Sequence, residues 1–302
     1  MTVSAIVVSY NTRELLGRCL ERLAAGELEE VIVVDNGSSD GSRELVRERF
    51  PDARLLDPEV NLGFGAANNL GANVARGELL LFLNADTRPV ADAVRSLAGF
   101  VSAREDVGIA GPRLLNPDGT LQRSVRGFPT VWRICTEYFF LRKLAPRSRV
   151  VNAFYGAGFE HDREREAEFV MGAVMCMRRE VFDAVSGFDE RYFLFSEEAD
   201  LAYRVRHAGW RVVFTPTAEF VHVGGAATRP VWDQMYREQL RGHVLFLAAH
   251  AGLASAERAR RWLVRALRFR GVLFPGPRGR LYLEAGRWLA ARSVESLVQS
   301  SE

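Results

Sequence analysis

Short apolar runs separated by polar, glycine-rich segments dominate the first two thirds of the chain. Residues 3–9, 31–34 and 79–83 carry almost no polar positions, the pattern of strands buried on both faces. Between them apolar residues recur at helical spacing. Leu15, Leu16, Cys19, Leu20 and Leu23 mark a helix over 13–25, and Leu45, Val46 and Phe50 a second one stopped by Pro51. Residues 54–56 fit a short strand and 66–75 a helix of small residues. Strands alternating with helices predict an α/β fold, a mostly parallel sheet with helices on both faces. Further on, 89–103 reads as an amphipathic helix and 107–111 as a strand. Residues 169–177 form a strand interrupted at Gly172-Ala173. Pro216 separates two strands, 212–215 and 219–223.

From Arg229 onward the period is helical, broken at Pro275-Gly276-Pro277, which divides the chain into a domain over 1–228 and an amphipathic helical extension over 229–302. Charge sharpens that boundary. Residues 255–302 hold ten arginines against four glutamates, a net +6, which leaves −4 for 1–254 out of the total of +2. Basic amphipathic helices with Trp262 and Trp288 either lie on an anionic membrane surface or pack on the domain with a solvated basic face. Lys143 is the only lysine, so the abundance of arginine reflects coding bias and does not imply nucleic acid as a partner. At 48% hydrophobic and 26% charged the composition is that of a globular protein, and no stretch reaches the roughly 18–20 apolar residues of a membrane span. Cys19, Cys135 and Cys176 are scattered, which implies neither zinc nor a disulfide framework. With no leader pattern ahead of the first strand, the expected compartment is the cytoplasm.

Chemistry gathers where the strands stop. The run 79–83 ends in Asn84-Ala85-Asp86, and 31–34 ends in Asp35-Asn36-Gly37. Ligands of an open α/β sheet bind beyond the carboxyl ends of its strands. Asp86 is then either a cap for the next helix or a ligand for a divalent metal (Mn²⁺ or Mg²⁺) shared with a diphosphate. Asp35 either closes an Asx turn or accepts hydrogen bonds from a base N–H or ribose hydroxyl. Gly63-Phe-Gly65 is a broken G-x-G-x-x-G that follows the third strand rather than the first, which argues against a Rossmann oxidoreductase. Ser196 is placed to cap a helix whose first turn holds Glu197, Glu198 and Asp200. Those acids either stabilise the helix end or hold a general base beside Phe193 and Phe195. His222, ahead of Gly224-Gly225, is either a hydrogen-bonded structural residue or a metal ligand. The aromatic and arginine-rich stretch 122–168 is either a substrate-covering loop or an ordinary insertion.

Taken together the motifs resemble the family 2 nucleotide-sugar glycosyltransferases of GT-A fold, most closely their rhamnosyltransferase-like branch. Those that carry the resemblance are Val-Val-Ser-Tyr-Asn (7–11), Val-Val-Asp-Asn-Gly-Ser-Ser-Asp-Gly-Ser (33–42), Asn-Leu-Gly-Phe-Gly-Ala-Ala-Asn-Asn-Leu-Gly (61–71) and Leu-Asn-Ala-Asp (83–86). Gly-Phe-Asp-Glu (187–190), Glu-Glu-Ala-Asp-Leu (197–201) and His-Val-Gly-Gly-Ala-Ala-Thr (222–228) follow in the family's order. The resemblance implies that Ser9, Tyr10, Asn11, Asp35, Asn36, Gly63, Asn69, Asn84 and Ala85 hold a dTDP-sugar or UDP-sugar. It implies further that Asp86 and His222 hold the metal, that Glu198 or Glu197 is the base, and that Gly172 and Asp200 lie on the acceptor side. The implied reaction inverts the anomeric centre by direct displacement, onto a glycan or lipid-linked acceptor at the inner membrane face.

Two positions depart from the family pattern. Asn84 stands where an aspartate is common, leaving one carboxylate for the metal, and Glu198 stands where the base is usually aspartate. Gln234-Met-Tyr-Arg237 is followed by Glu238 rather than the tryptophan of processive members, which favours one sugar per encounter. A nucleotidyltransferase is the rival enzyme, but the first turn lacks the glycines and basic residue that would cradle a triphosphate. A silent nucleotide-sugar-binding module is the other alternative, and the intact acidic cluster argues against it.

Overall fold

The computed structural model describes residues 1–24, 28–148, 150–152, 154, 156 and 158–299. Ala25, at the end of the first expected helix, lies outside them, as do four residues of the 122–168 stretch. In chain order the elements are β1 (Val3–Ser9), α1 (Arg13–Ala24), β2 (Glu30–Asp35), α2 (Ser42–Arg49), β3 (Arg54–Leu56), α3 (Phe64–Val74), β4 (Leu79–Asn84), β5 (Thr87–Pro89), α4 (Ala93–Ser102) and β6 (Val107–Leu115). Short pieces follow: β7 (Leu121–Gln122), β8 (Val125–Arg126), α5 (Val131–Tyr138), α6 (Leu141–Leu144), β9 (Arg165–Glu166) and β10 (Phe169–Val170). The chain continues through β11 (Val174–Arg178), α7 (Arg179–Ala184), α8 (Glu197–His207) and β12 (Arg211–His222). Its last helices are α9 (Trp232–Ala251), α10 (Leu253–Leu273), α11 (Pro277–Ala290) and α12 (Val294–Gln299).

Two compact units result. The first comprises Met1–Val125, Glu160–Glu190 and Glu198–Pro230, and the second Arg126–Phe159, Arg191–Glu197 and Val231–Glu302. In the first unit one sheet runs in the order β3-β2-β1-β4-β11-β6-β12-β5, with β7 on β6 and β9 on β12. Strands β3, β2, β1 and β4 are parallel, β11 is antiparallel to both its neighbours, and β12 is parallel to β6. Alternation along β1 explains the helices on both faces. Ala5 and Val7 join the core shared with Leu16, Cys19 and Leu20 of α1 and Leu97 and Val101 of α4. Ile6 points to the other face, where α3 approaches so closely that a Cβ on Gly71 would lie 2.5 Å from Ile6 Cγ2.

The structure corrects two expectations. The segment over 89–103 is not all helix: Thr87–Pro89 pair antiparallel with Phe220–His222, and α4 begins only at Ala93. Proline is tolerated there because β5 is the edge of the sheet. Pro216 also fails to end its strand. β12 runs from Arg211 to His222, with a shift in its register against β6 between Thr215 and Glu219 that accommodates the ring as a bulge.

The second unit is helical. Leu240, Val244 and Leu247 of α9, Leu263 and Leu267 of α10, Leu289 of α11 and Leu297 of α12 share one core with Ile134 and Tyr138 of α5. Among the described residues no helix is long and apolar enough to cross a membrane.

Candidate active site

Register decides which strand ends meet. Ser9 lies beside Asp35 across β1 and β2, and Val8 beside Asn84 across β1 and β4. Ser9-Tyr10-Asn11, Asp35-Asn36 and Asn84-Ala85-Asp86 therefore leave the sheet at one level. The strand order reverses at the same place, since the chain adds β2 and β3 on one side of β1 and then crosses to β4 on the other. Such a switch point forms the ligand crevice of an open α/β sheet.

Asp35 is fully buried. The Ser38 backbone N–H donates to its Oδ1 at 2.9 Å, while Oδ2 has no partner among the described residues. Burial holds its pKa above the ordinary aspartate value, against the pull of the Ser38 hydrogen bonds and of Arg43, whose Nε is 3.9 Å from Oδ1. A buried acceptor left empty costs free energy, which a ligand N–H or hydroxyl would recover. The adjoining loops are laced together. Asn11, at φ 50°, donates its N–H to Ser38 Oγ and accepts from the Ser39 N–H at 2.8 Å. Ser9 Oγ is 3.0 Å from Thr12 Oγ1, and Tyr10 is half-buried at the turn between them.

Two asparagines of the expected nucleotide set brace the backbone. Asn36 Nδ2 donates to Asn61 Oδ1 and to the Gly63 carbonyl, and its Oδ1 accepts from the Leu62 N–H. Asn69 Nδ2 donates to the Phe188 carbonyl and to Glu190 Oε1, and its Oδ1 accepts from the Phe188 N–H. Asn36 thus shapes the loop that opens α3, and Asn69 fastens α3 to the Gly-Phe-Asp-Glu turn.

The unforeseen strand β5 brings the metal candidates together. Its register sets His222 opposite Thr87, one residue past Asp86, and His222 Nε2 lies 3.2 Å from Asp86 Oδ1. The Gly224 N–H donates to Asp86 Oδ2 at 3.0 Å. Gln122 fixes the imidazole. Its Nε2 donates to Asn116 Oδ1 and to the His222 carbonyl, so its Oε1 must accept from His222 Nδ1 at 2.6 Å. In the neutral ring the Nε2 lone pair then faces Asp86 Oδ1, with Asn84 Nδ2 3.4 Å away. One imidazole nitrogen and one carboxylate oxygen on a shared point suit Mn²⁺, which takes mixed N/O donors more readily than Mg²⁺. Among the described residues no three His, Cys, Asp or Glu side chains form a ready cluster, so an ion held by this pair would need further ligands from outside it. Sequence reasoning missed Gln122, which lies in a stretch without clear periodicity; only the fold brings it under His222, 100 residues away.

Glu197 is buried and Glu198 half-buried at the start of α8. Ser196 is not an ordinary cap: its φ is 75°, outside the extended region that N-cap residues adopt. Gly172 faces the stem of Glu198: a Cβ there would meet Glu198 Cβ and Phe64 Cε1, each at 3.5 Å. The Asn84 N–H donates to the carbonyl of Ala173, so one short path links the metal candidates to Glu198. Asp200 is buried and paired with Arg204 at 2.7 Å, and Arg204 in turn donates to the Val185 carbonyl.

Comparison with known proteins decides what this crevice belongs to. The family model for glycosyl transferase family 2 matches residues 4–185. The chain belongs to that family. This glycosyltransferase is 32% identical over 232 residues to the N-acetylglucosaminyl-diphospho-decaprenol L-rhamnosyltransferase of Mycobacterium tuberculosis, covering 72% of this chain and 74% of that one. It is 30% identical to the O-antigen biosynthesis protein RfbC of Myxococcus xanthus over 75% of this chain but only 18% of that protein. In shape it matches GalNAc-T7 solved with UDP, GalNAc and Mn²⁺, with a TM-score of 0.62 at 15% identity, over 100% of this chain and 56% of that one. It also matches the mannosyltransferase PcManGT from Pyrobaculum calidifontis solved with GDP-Man and Mn²⁺, with a TM-score of 0.55 at 18% identity, over 99% and 88%. The sheet and its flanking helices are thus the GT-A fold. The family match stops at residue 185, short of Glu198 and His222.

Proposed function

We propose that this glycosyltransferase moves one sugar, with inversion, from a dTDP-sugar or UDP-sugar to a hydroxyl of a glycan or lipid-linked acceptor at the cytoplasmic face of a membrane. L-Rhamnose is the favoured sugar, on the likeness to the mycobacterial rhamnosyltransferase. The observation that carries the reading is the Asp86–His222 pair, oriented by Gln122 and set at the strand switch point, where Asp35 also ends its strand.

Asp35 Oδ2 accepts the imide N–H of the uracil or thymine ring, and the turn at Ser9–Asn11 and the segment 61–69, which opens α3, close around the nucleoside. Asp86 and His222 hold the divalent metal, which when bound offsets charge on the departing diphosphate. Glu198 takes the proton from the acceptor hydroxyl as that oxygen bonds to the anomeric carbon. The bond from that carbon to the diphosphate oxygen breaks, and the leaving nucleoside diphosphate keeps the electron pair. Gly172 lies on the acceptor side next to Glu198, while Asp200 holds α8 in place through Arg204.

The test is calorimetric titration with UDP, dTDP and GDP, each with and without Mn²⁺. Manganese-dependent binding of UDP or dTDP is expected. No binding of any nucleotide to the folded chain would end the reading.

A further inference from the structure

Helix α10 carries a stripe that the core does not use. Arg258, Trp262, Arg265, Phe269 and Val272 follow the i, i+4, i+7, i+11, i+14 spacing of a single helical face, and all five are exposed. Val272 is 86% exposed, Leu273 50%, Phe269 46% and Trp262 40%. Arg261 and Arg268 flank the stripe, also exposed. The opposite face, with Ala259, Leu263, Ala266 and Leu267, is buried in the helical core. A single exposed apolar side chain is ordinary, but four large ones along one face are not.

Other rings pack against the stripe. The Phe139 ring lies edge-on to Trp262 at 6.0 Å and tilted against Phe269 at 5.9 Å. The Arg265 guanidinium sits over Trp262 at 4.9 Å. At the far end Phe274 packs on Phe140, directly ahead of α6, whose Lys143 is exposed and whose Leu144 is 83% exposed. Between Glu257 and Glu284 the chain holds eight arginines and no acidic residue.

We infer that this face of α10, with the tip of α6, docks the glycosyltransferase on an anionic lipid bilayer, Trp262, Phe269, Val272 and Leu273 entering the headgroup layer and the arginines pairing with lipid phosphates. Charge decides the occupant. A second copy of the chain would set arginines against arginines. A nucleic acid would meet the arginines but leave Val272 and Leu273 in water. An interface of anionic headgroups over hydrocarbon satisfies both, because arginine stems lie along apolar surface while their heads stay hydrated. The inference deepens the proposed function and rests on it only for the lipid-linked acceptor that docking would bring within reach.

Co-sedimentation of the full chain with vesicles tests it. Pelleting is expected with three parts phosphatidylcholine to one part phosphatidylglycerol, and little with phosphatidylcholine alone. High salt should weaken it, and Arg258→Gln, Arg265→Gln or Arg268→Gln should each reduce affinity about fivefold. Phe269→Ser with Val272→Ser should abolish the binding that survives in salt. Each variant is first shown to titrate nucleotide with Mn²⁺ as the wild type does, which separates loss of docking from misfolding and from failure of the donor-site reading. No pelleting with phosphatidylglycerol, equal pelleting with neutral vesicles, or arginine variants that bind like wild type would overturn the inference. So would tighter binding to duplex DNA than to vesicles, or a dimer in solution broken by Phe269→Ser.

Discussion

Gly242 and Phe195 approach so closely that a Cβ on the glycine would lie 2.6 Å from the Phe195 carbonyl oxygen. Phe195 and Ser196 are both left-handed, at φ 68° and 75°, and together they form the corner that turns the chain into Glu197 and Glu198. Arg241, the neighbour of Gly242, donates to the Arg191 carbonyl at 2.7 Å and to the Leu297 carbonyl at 2.9 Å. Two successive strained residues persist only where packing dictates them. Gly242→Ala should therefore cost about 1–3 kcal/mol of stability. It should also lower turnover well beyond that, with nucleotide affinity unchanged. Thermal melting beside steady-state kinetics checks it, and a variant that melts early but turns over normally would show that the corner does not set Glu198.

Gln122→Leu should leave Asp86 and His222 in place yet free the imidazole to rotate or change tautomer. Loss of such a supporting hydrogen bond typically lowers metal affinity about 10–100-fold. Mn²⁺ titration in the presence of UDP or dTDP reads this directly. Asp86→Ala should remove manganese dependence altogether.

Glu198→Gln keeps size and hydrogen bonding but cannot take a proton. Transfer should fall by about 10²–10⁴-fold, as expected for loss of a general base, while nucleotide binding persists. Glu197→Gln is the paired control. Activity that survives the first and vanishes in the second would move the base by one residue.

His243 gives the helical unit an acid-sensitive point. It is buried, packed edge-on against Tyr138 and Phe154, and burial pushes its pKa from 6.5 down to about 4. The unfolded chain then binds the proton more readily than the folded one. Stability should be intact above pH ~6.5 and decline as pH falls toward ~4, by about 3 kcal/mol at most. Urea midpoints at pH 7.5 and pH 5 should separate less for His243→Leu than for wild type.

What the sequence discloses and what it hides follow from how local each feature is. Asp35 and Asp86 are legible because each follows an apolar run whose shortness, between turn residues, fits a buried strand. That both lie at the carboxyl edge of the sheet also follows, since parallel strands set like ends at one level. His222 beside Asp86 is not legible in the same way: it depends on Thr87–Pro89 forming an edge strand, and three residues ending in proline carry no strand signal. Asn36 and Asn69 match motif positions, yet whether an amide faces a ligand or its own backbone depends on partners 25 to 121 residues away. Ser196 reads as a cap by residue type, while its backbone is bent by packing that local propensity does not contain.

The helical unit draws on 126–159 and 191–197 as well as on the chain from Val231. Its parts are interleaved with the sheet's own segments, so the C-terminal helices are not a cassette. A hybrid made by joining the first 230 residues of one relative to the tail of another would mismatch the seven residues that lead into Glu198. Lineages are then expected to inherit the tail and the corner ahead of Glu198 together, and a graft should succeed only when all three segments travel as a set.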